Sequence, residues 1–199
     1  MMSHPLEEMI RSRLAARTRR VSDAAGIPAA VLVLFFERDG ELRIVFTRRT
    51  DRVLHHKGQI SFPGGAKDPE DRDLETTALR ETWEEIGVPP DSIEILGALD
   101  DSVVVTGFVV TPYVGWARGP IEFRPNADEA EEIIEVPVSF LADRSRYRIE
   151  PREYEGRTYQ TTYLDFGAHI IWGATGGILR RFVEEILGSA EAAGPWETL

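Results

Sequence analysis

The sequence predicts a mixed α/β domain, with a few helices packed on strongly curved sheets. Three observations carry this. Strand-like segments outnumber helical ones and mostly follow one another along the chain. Ala29–Phe36 is an unbroken apolar run, AAVLVLFF, that reads as a buried strand. Leu74–Ile86 has helical periodicity, and Gly87, Pro89 and Pro90 stop it.

In chain order, Leu6, Met9, Ile10 and Leu14 have helical spacing within residues 5–19, and Pro5 suits a first turn. Ala25–Pro28 is a break before the apolar strand. Arg38-Asp39-Gly40 is turn chemistry, so Leu42–Thr47 returns as a hairpin partner. Gly58–Pro63 is a short strand ending in Pro63-Gly64-Gly65, and the polar loop AKDPEDRD leads into the helix. Strands are expected at Ile93–Leu99, Val103–Val114, Ile121–Phe123 and Ile133–Val136, with a helical turn at Val138–Leu141. Tyr147–Ile149 and Thr158–Leu164 form a hairpin, Trp172–Leu187 a last helix, and 188–199 a frayed tail. No internal repeat or low-complexity segment is visible, so the whole chain, 1–199, reads as one domain with a helical extension over 1–24.

Composition narrows the function. The 199 residues are 42% hydrophobic and 29% charged, which is ordinary globular usage. At this size roughly 70% of the unfolded surface is buried on folding. The net charge is −11, so nothing global attracts a polyanion, and no nucleic-acid partner is expected. There is no cysteine, which excludes thiolate catalysis and Cys-zinc sites. Neither a signal peptide nor a membrane span is evident, and the chain reads as cytoplasmic.

The helix 74–86 carries the chemistry. At about 100° per residue, Leu79, Trp83 and Ile86 share one face, and Glu81, Glu84 and Glu85 cluster on the opposite one. Like charges at three- and four-residue spacing oppose a bare helix by roughly 0.2–0.5 kcal/mol per pair. A solvated acidic face is the ordinary reading of such a pattern. Here only Arg80 lies near enough in sequence to offset three acids, and the Gly-rich turn SFPGG precedes them. Carboxylates with few basic partners suit a hard divalent cation, which would let an acidic protein recruit a phosphate-bearing substrate.

The segment from Gly65 through RETWEEIGV resembles the Nudix box, with Arg80, Glu81, Glu84, Glu85 and Gly87 matching its second half. The acid usually eight residues before the arginine is replaced by Arg72; Asp71 or Glu70 is the substitute. Residues 45–65, VFTRRTDRVLHHKGQISFPGG, are similar to the signature preceding that box in coenzyme A pyrophosphatases, through Thr47, Arg49, His56, Gly58, Gln59 and Phe62–Gly65. NADEAEEIIEVPV (126–138) and IIWGATGGILRRF (170–182) resemble two further family segments.

The resemblance implies an α/β/α sandwich with a mixed curved sheet, a catalytic loop-helix and helices at both ends. It implies magnesium or manganese held by Glu81 and Glu85, with Glu84 sharing, and Arg80 bracing the acids. The proton acceptor it implies is a glutamate of the helix, where Glu81 and Glu84 are catalytic candidates with Arg80, or one of the loop after the fifth strand, where Glu129 or Glu132 is the candidate. Arg49 and His56 are candidate phosphate ligands beside Gly64 and Gly65, and Arg48, Arg52 and Lys57 add local positive charge. Gly58 and Gln59 fix backbone geometry, while Trp83 and Trp172 read as core residues. The implied activity is hydrolysis of the diphosphate bridge of coenzyme A or acyl-coenzyme A to 3′,5′-ADP and 4′-phosphopantetheine. The rivals are another nucleoside diphosphate derivative, such as ADP-ribose or a dinucleotide, and a non-catalytic nucleotide-binding regulator. The expected partner is a small nucleotide and not a membrane; homodimerisation is left open.

Overall fold

A computed structural model of the chain describes residues 4–50 and 58–188. The apolar run becomes strand β1 (Ile27–Arg38). Its side chains alternate between two cores: Ala29, Val33 and Phe35 enter one, and Ala30, Leu32, Leu34 and Phe36 the other. A strand covered on both faces needs no polar alternation, which is why this segment is apolar throughout. On one side β1 pairs antiparallel with β2 (Glu41–Arg49) through a tight turn. There Asp39 and Gly40 both have positive φ, 54° and 76°, as a type I′ turn requires. On its other side β1 runs parallel to β7 (Phe108–Ala117) over nine residue pairs.

The β1–β2 hairpin then splits. β1 and β2 are paired from Phe35↔Ile44 to Arg38↔Glu41. Further from the turn, β3 (Ile60–Ser61) takes the edge of β2 and β4 (Gly64–Ala66) takes the edge of β1. The Phe62-Pro63 link between them lies in the split, where the Pro63 carbonyl accepts from the Leu32 N–H at 2.9 Å. The sheet is completed by β8 (Ala130–Pro137) beside β2, and by β5 (Ile93–Ala98) and β6 (Ser102–Val103) beside β7.

Helix α2 (Leu74–Ile86) covers one face, and α1 (Pro5–Ala15) and α4 (Gly173–Phe182) cover the other. The architecture is therefore the mixed α/β/α sandwich expected. The last helix starts at Gly173, because Trp172 ends a strand, and it continues as a π-helical turn over Val183–Leu187. Past α3 (Val138–Ala142), a second antiparallel sheet is ordered β11-β10-β9, with β9 Tyr147–Tyr154, β10 Arg157–Phe166 and β11 His169–Trp172. Its Leu164 and Ile171 are buried with Ile178, Leu179 and Phe182 of α4. Among the described residues no helix is long and apolar enough to cross a membrane.

Several expected boundaries move. The first helix ends at Ala15 rather than 19, because the chain is then pinned by side chains. Arg17 and Arg20 bond Asp100 at 2.9 and 2.6 Å, and Arg19 bonds Asp101. Buried Glu7 of α1 is clamped by both terminal nitrogens of Arg118, at 2.8 and 2.6 Å, and Arg118 also reaches Glu94 at 3.0 Å. Val103–Val114 is not one strand: a turn with Gly107 at φ 88° separates β6 from β7. Ile121–Phe123 forms no strand; Phe123 instead packs edge-on to Phe36, with centroids 5.0 Å apart. The tail beyond Gly188 lies outside the described residues.

Candidate active site

Helix α2 is well delimited. Asp73 caps its N-terminus by accepting from the Thr76 N–H at 2.8 Å, and Gly87 ends it in the left-handed conformation at φ 72°. Its inward face differs from the projected one. Thr77, Ala78, Thr82, Glu85 and Ile86 are buried, whereas Trp83 is 50% exposed. Periodicity assigns angles around a helix but not what covers each angle. Here β4, through Gly64 and Gly65, lies against the Glu81–Glu85 side, so two of the acids face inward and the tryptophan is left out.

Arg80 is the hub of the outer half. Its Nε and Nη2 both bond Asp71 at 2.9 Å, while Nη1 bonds Glu81 at 2.9 Å and Glu84 at 2.7 Å. Asp71 also accepts from the Asp68 N–H and the Thr77 hydroxyl, each at 2.9 Å. The Arg80 guanidinium therefore holds the Asp71 carboxyl well below the usual carboxylate range, against the opposing effect of burial. Of the two acids considered for the loop, Asp71 meets Arg80 and Glu70 is exposed.

The inner half is short of positive charge. Glu85 is 3% exposed, and burial pushes its carboxyl up to about 8. Arg49 opposes that shift from 3.8 Å; the charges of Glu81 and Glu129 add to it. A backbone hydrogen bond from Gly64 and a 3.5 Å approach of the Thr47 hydroxyl complete its surroundings. Glu81 is also raised, first by burial and then by Glu84 and Glu129, against the pull of Arg80.

The two glycines are required by contact. A Cβ on Gly64, whose φ is 152°, would lie 2.3 Å from the Ala30 carbonyl oxygen, and one on Gly65 would lie 2.6 Å from the Glu81 carboxylate. Gly65 thus faces the Glu81 carboxylate, while Gly64 packs tightly on β1 and meets Glu85 through its backbone. Arg49 is aimed by an irregularity: the β2–β8 register shifts between Arg48 and Arg49. Its Nε is buried and has no partner among the described residues.

Glu129 is delivered by a loop stitched to the end of α2, with the Asn126 N–H on the Glu85 carbonyl and the Arg124 N–H on the Ile86 carbonyl, at 2.9 and 2.8 Å. Among the described residues its side chain accepts a single long bond, 3.3 Å from the Asn126 amide. Glu132 is otherwise engaged, bonded to Arg48 at 2.9 Å and lying 3.3 Å from His169 Nε2. Arg48 is thereby committed to carboxylates. His56, Arg52 and Lys57 lie outside the described residues. Sequence reasoning gave no role to Thr47, Asn126 or the Arg49 bulge. Thr47 and Asn126 act through a hydroxyl and an amide whose partners lie far off in sequence or on a loop, and the Arg49 bulge is a property of register, so no local pattern marks them. Trp172, read as core, instead lines an open cleft of about 620 Å³.

The NUDIX domain family model matches residues 26–154. A protein of Pectobacterium atrosepticum described as "Uncharacterized Nudix hydrolase NudL" is 37% identical over 146 residues, covering 72% of this chain and 74% of that protein. "Nudix hydrolase 15, mitochondrial" of Arabidopsis thaliana is also 37% identical, over 77% of this chain; the chain spans 56% of that relative's length. Among solved structures, the M. smegmatis Nudix hydrolase RenU is similar at 22% identity and a TM-score of 0.49, over 61% of this chain and 84% of that one.

Proposed function

The chain belongs to the Nudix hydrolase family and is a pyrophosphohydrolase of a nucleoside diphosphate derivative, and from that premise we propose that its substrate is coenzyme A or an acyl-coenzyme A. The observation that carries this reading is the placement of the 45–65 segment. Its β2 strand brings Thr47 and Arg49 to Glu85, and its glycine turn lies against Glu85 and Glu81. The signature that resembles coenzyme A pyrophosphatases thus borders the acids of the Nudix helix.

Nudix hydrolases generally need divalent metal ions, and the residues here fit one. Glu81 and Glu85 are carboxylates desolvated together, with Arg49 and Arg80 too few to neutralise them and Glu129. Among the described residues no three acids or imidazoles form a complete cage. Magnesium does not require one, since it is held by one or two carboxylates, water and substrate phosphates. Glu81 and Glu85 would hold the ion, with Glu84 at the outer edge. When bound, magnesium or manganese neutralises the diphosphate and favours attack at phosphorus.

The remaining roles belong to side chains of this chain. Arg80, fixed by Asp71, orients Glu81 and Glu84. Glu129 has the freest carboxylate of the loop and accepts the proton of the attacking water. Arg49 offers its fork to a substrate phosphate next to Glu85. The test is incubation with magnesium and a panel of coenzyme A, acyl-coenzyme A, ADP-ribose and dinucleotides, with products identified by mass. Release of 3′,5′-ADP and 4′-phosphopantetheine, faster than any other cleavage, is expected. Preferential cleavage of ADP-ribose would overturn the substrate.

A further inference from the structure

Against a net charge of −11, one surface is conspicuously basic. The cleft of about 620 Å³ between the second sheet, α4 and the β6 turn is lined by Arg152, Arg180 and Arg181, and by no aspartate or glutamate among the described residues. Its volume is that of a small-molecule site.

Two of these guanidiniums have no carboxylate partner among the described residues. Arg152 lies over the indole of Trp172, 4.0 Å from the ring centre. A guanidinium over an aromatic face is held there without using a carboxylate, which leaves its charge and N–H donors for a phosphate. Arg181 is held by the hydroxyl of Ser102. Arg180 pairs with Glu184 at 2.9 Å, yet its Nε is buried without a partner. Arg148 sits on the same face of the sheet over Tyr163, but it is tied to Glu150 and Asp165. The absence of acids is thus particular to the cleft. Tyr154 and Tyr159 add aromatic surface to it.

The cleft adjoins the acids through Gln59, which lines it. The Gln59 carbonyl accepts from the N–H of Arg49 at 3.0 Å, and the Arg49 guanidinium is 3.8 Å from Glu85. The cleft and the acids thus meet across the β2–β3 edge.

We propose that this cleft receives the phosphorylated nucleoside end of the substrate, its 3′-phosphate held by Arg152 and Arg181 and its base by the aromatic wall. This rests on the coenzyme A reading for the identity of that end. It assigns the 3′-phosphate to the cleft arginines, because Arg48 is engaged by Glu131 and Glu132 and Arg49 faces Glu85.

The probe is adenosine 3′,5′-bisphosphate, titrated calorimetrically in EDTA beside 5′-AMP, so that binding is read without hydrolysis. Wild-type protein is expected to prefer the bisphosphate by roughly tenfold or more, as one charge-assisted contact supplies. Arg152→Gln and Arg181→Gln, each checked for an unchanged melting temperature, should each shrink that preference. In turnover, each should lower kcat/KM for coenzyme A about tenfold more than for dephospho-coenzyme A, through KM. No preference in the wild type, or a preference that survives both substitutions, overturns the proposal. If coenzyme A is not hydrolysed while bisphosphate binding still depends on these arginines, the substrate reading fails and the cleft assignment stands. If coenzyme A is hydrolysed and both variants treat it like wild type, the cleft assignment fails and the substrate reading stands.

Discussion

Glu7 and Glu85 are both buried glutamates, 1% and 3% exposed, yet their surroundings drive their ionisation in opposite directions. Around Glu7 the charges match. Arg118 donates two bonds and Arg11 a third, so the carboxyl is held below its usual range despite burial. Around Glu85 they do not match. One guanidinium stands 3.8 Å away against the charges of Glu81 and Glu129, and burial pushes the group up to about 8. Asp71 shows that neighbourhood alone does not decide this, since it adjoins the acids of α2 and is nevertheless matched by Arg80. In this molecule a matched buried acid fastens one element to another. An unmatched one is left with a deficit of positive charge, which under the proposed function a cation and its substrate fill.

Glu85→Gln gives the largest effect expected from this contrast. Hydrolysis should fall by orders of magnitude, while the melting temperature holds or rises, because an amide replaces a carboxylate that burial disfavours. Near-normal turnover at saturating magnesium would break the comparison. Glu7→Gln should do the reverse. It removes an acceptor from Arg118, which is 32% exposed and keeps Glu94, and should lower unfolding free energy in urea by about 1.5–3 kcal/mol, the scale for hydrogen bonds to charged groups, with kcat per folded molecule unchanged.

A pH series sharpens the same point. Arg118 lowers the folded pKa of Glu7; Asp100 and Asp101 are also lowered, because hydrogen bonds and arginines outweigh their burial. A lowered folded pKa means that the unfolded state binds more protons in acid. These groups therefore contribute fully above the ordinary carboxylate pKa of about 4, and their contribution is lost as pH falls through the depressed folded values. Urea midpoints measured across that range should drop, and drop less steeply in Glu7→Gln. The smallest effect is expected from Glu94→Gln, because that side chain is 45% exposed. A surface pair is worth about 0–1 kcal/mol, and a larger loss would mean that Glu94 belongs with Glu7.

Much of this was legible in the sequence, for identifiable reasons. The β1 run, the Asp39-Gly40 turn and the Gly87 cap are local signals, and each lies where its chemistry puts it. The α2 acids were legible as a cluster, but not that Glu85 would be buried and Trp83 exposed. That depends on which strand crosses the helix. β4 was invisible because Gly64 and Gly65 carry no side-chain pattern; they pair through backbone alone. β11 returns from β10 through the two-residue Gly167-Ala168 turn, but at four residues, His169–Trp172, it is too short to show a strand period before the helix begins. The bulge that aims Arg49 is a property of register between β2 and β8, which no single segment encodes.

The parallel pairing of β1 with β7 has a kinetic consequence. Its first rung joins Ile27 to Phe108, so the hairpin, the glycine turn and α2 all lie within one long loop of chain. Closing such a loop costs entropy before any rung repays it. The Glu81–Glu85 face forms on a local helix, and its neighbours Thr47, Arg49, Gly64 and Gly65 all lie inside that loop, so this part of the centre can assemble before the loop closes. Glu129 lies beyond that loop and joins the acids only when β8 pairs with β2, so the proposed proton acceptor depends on a further long-range ladder while the acidic face does not.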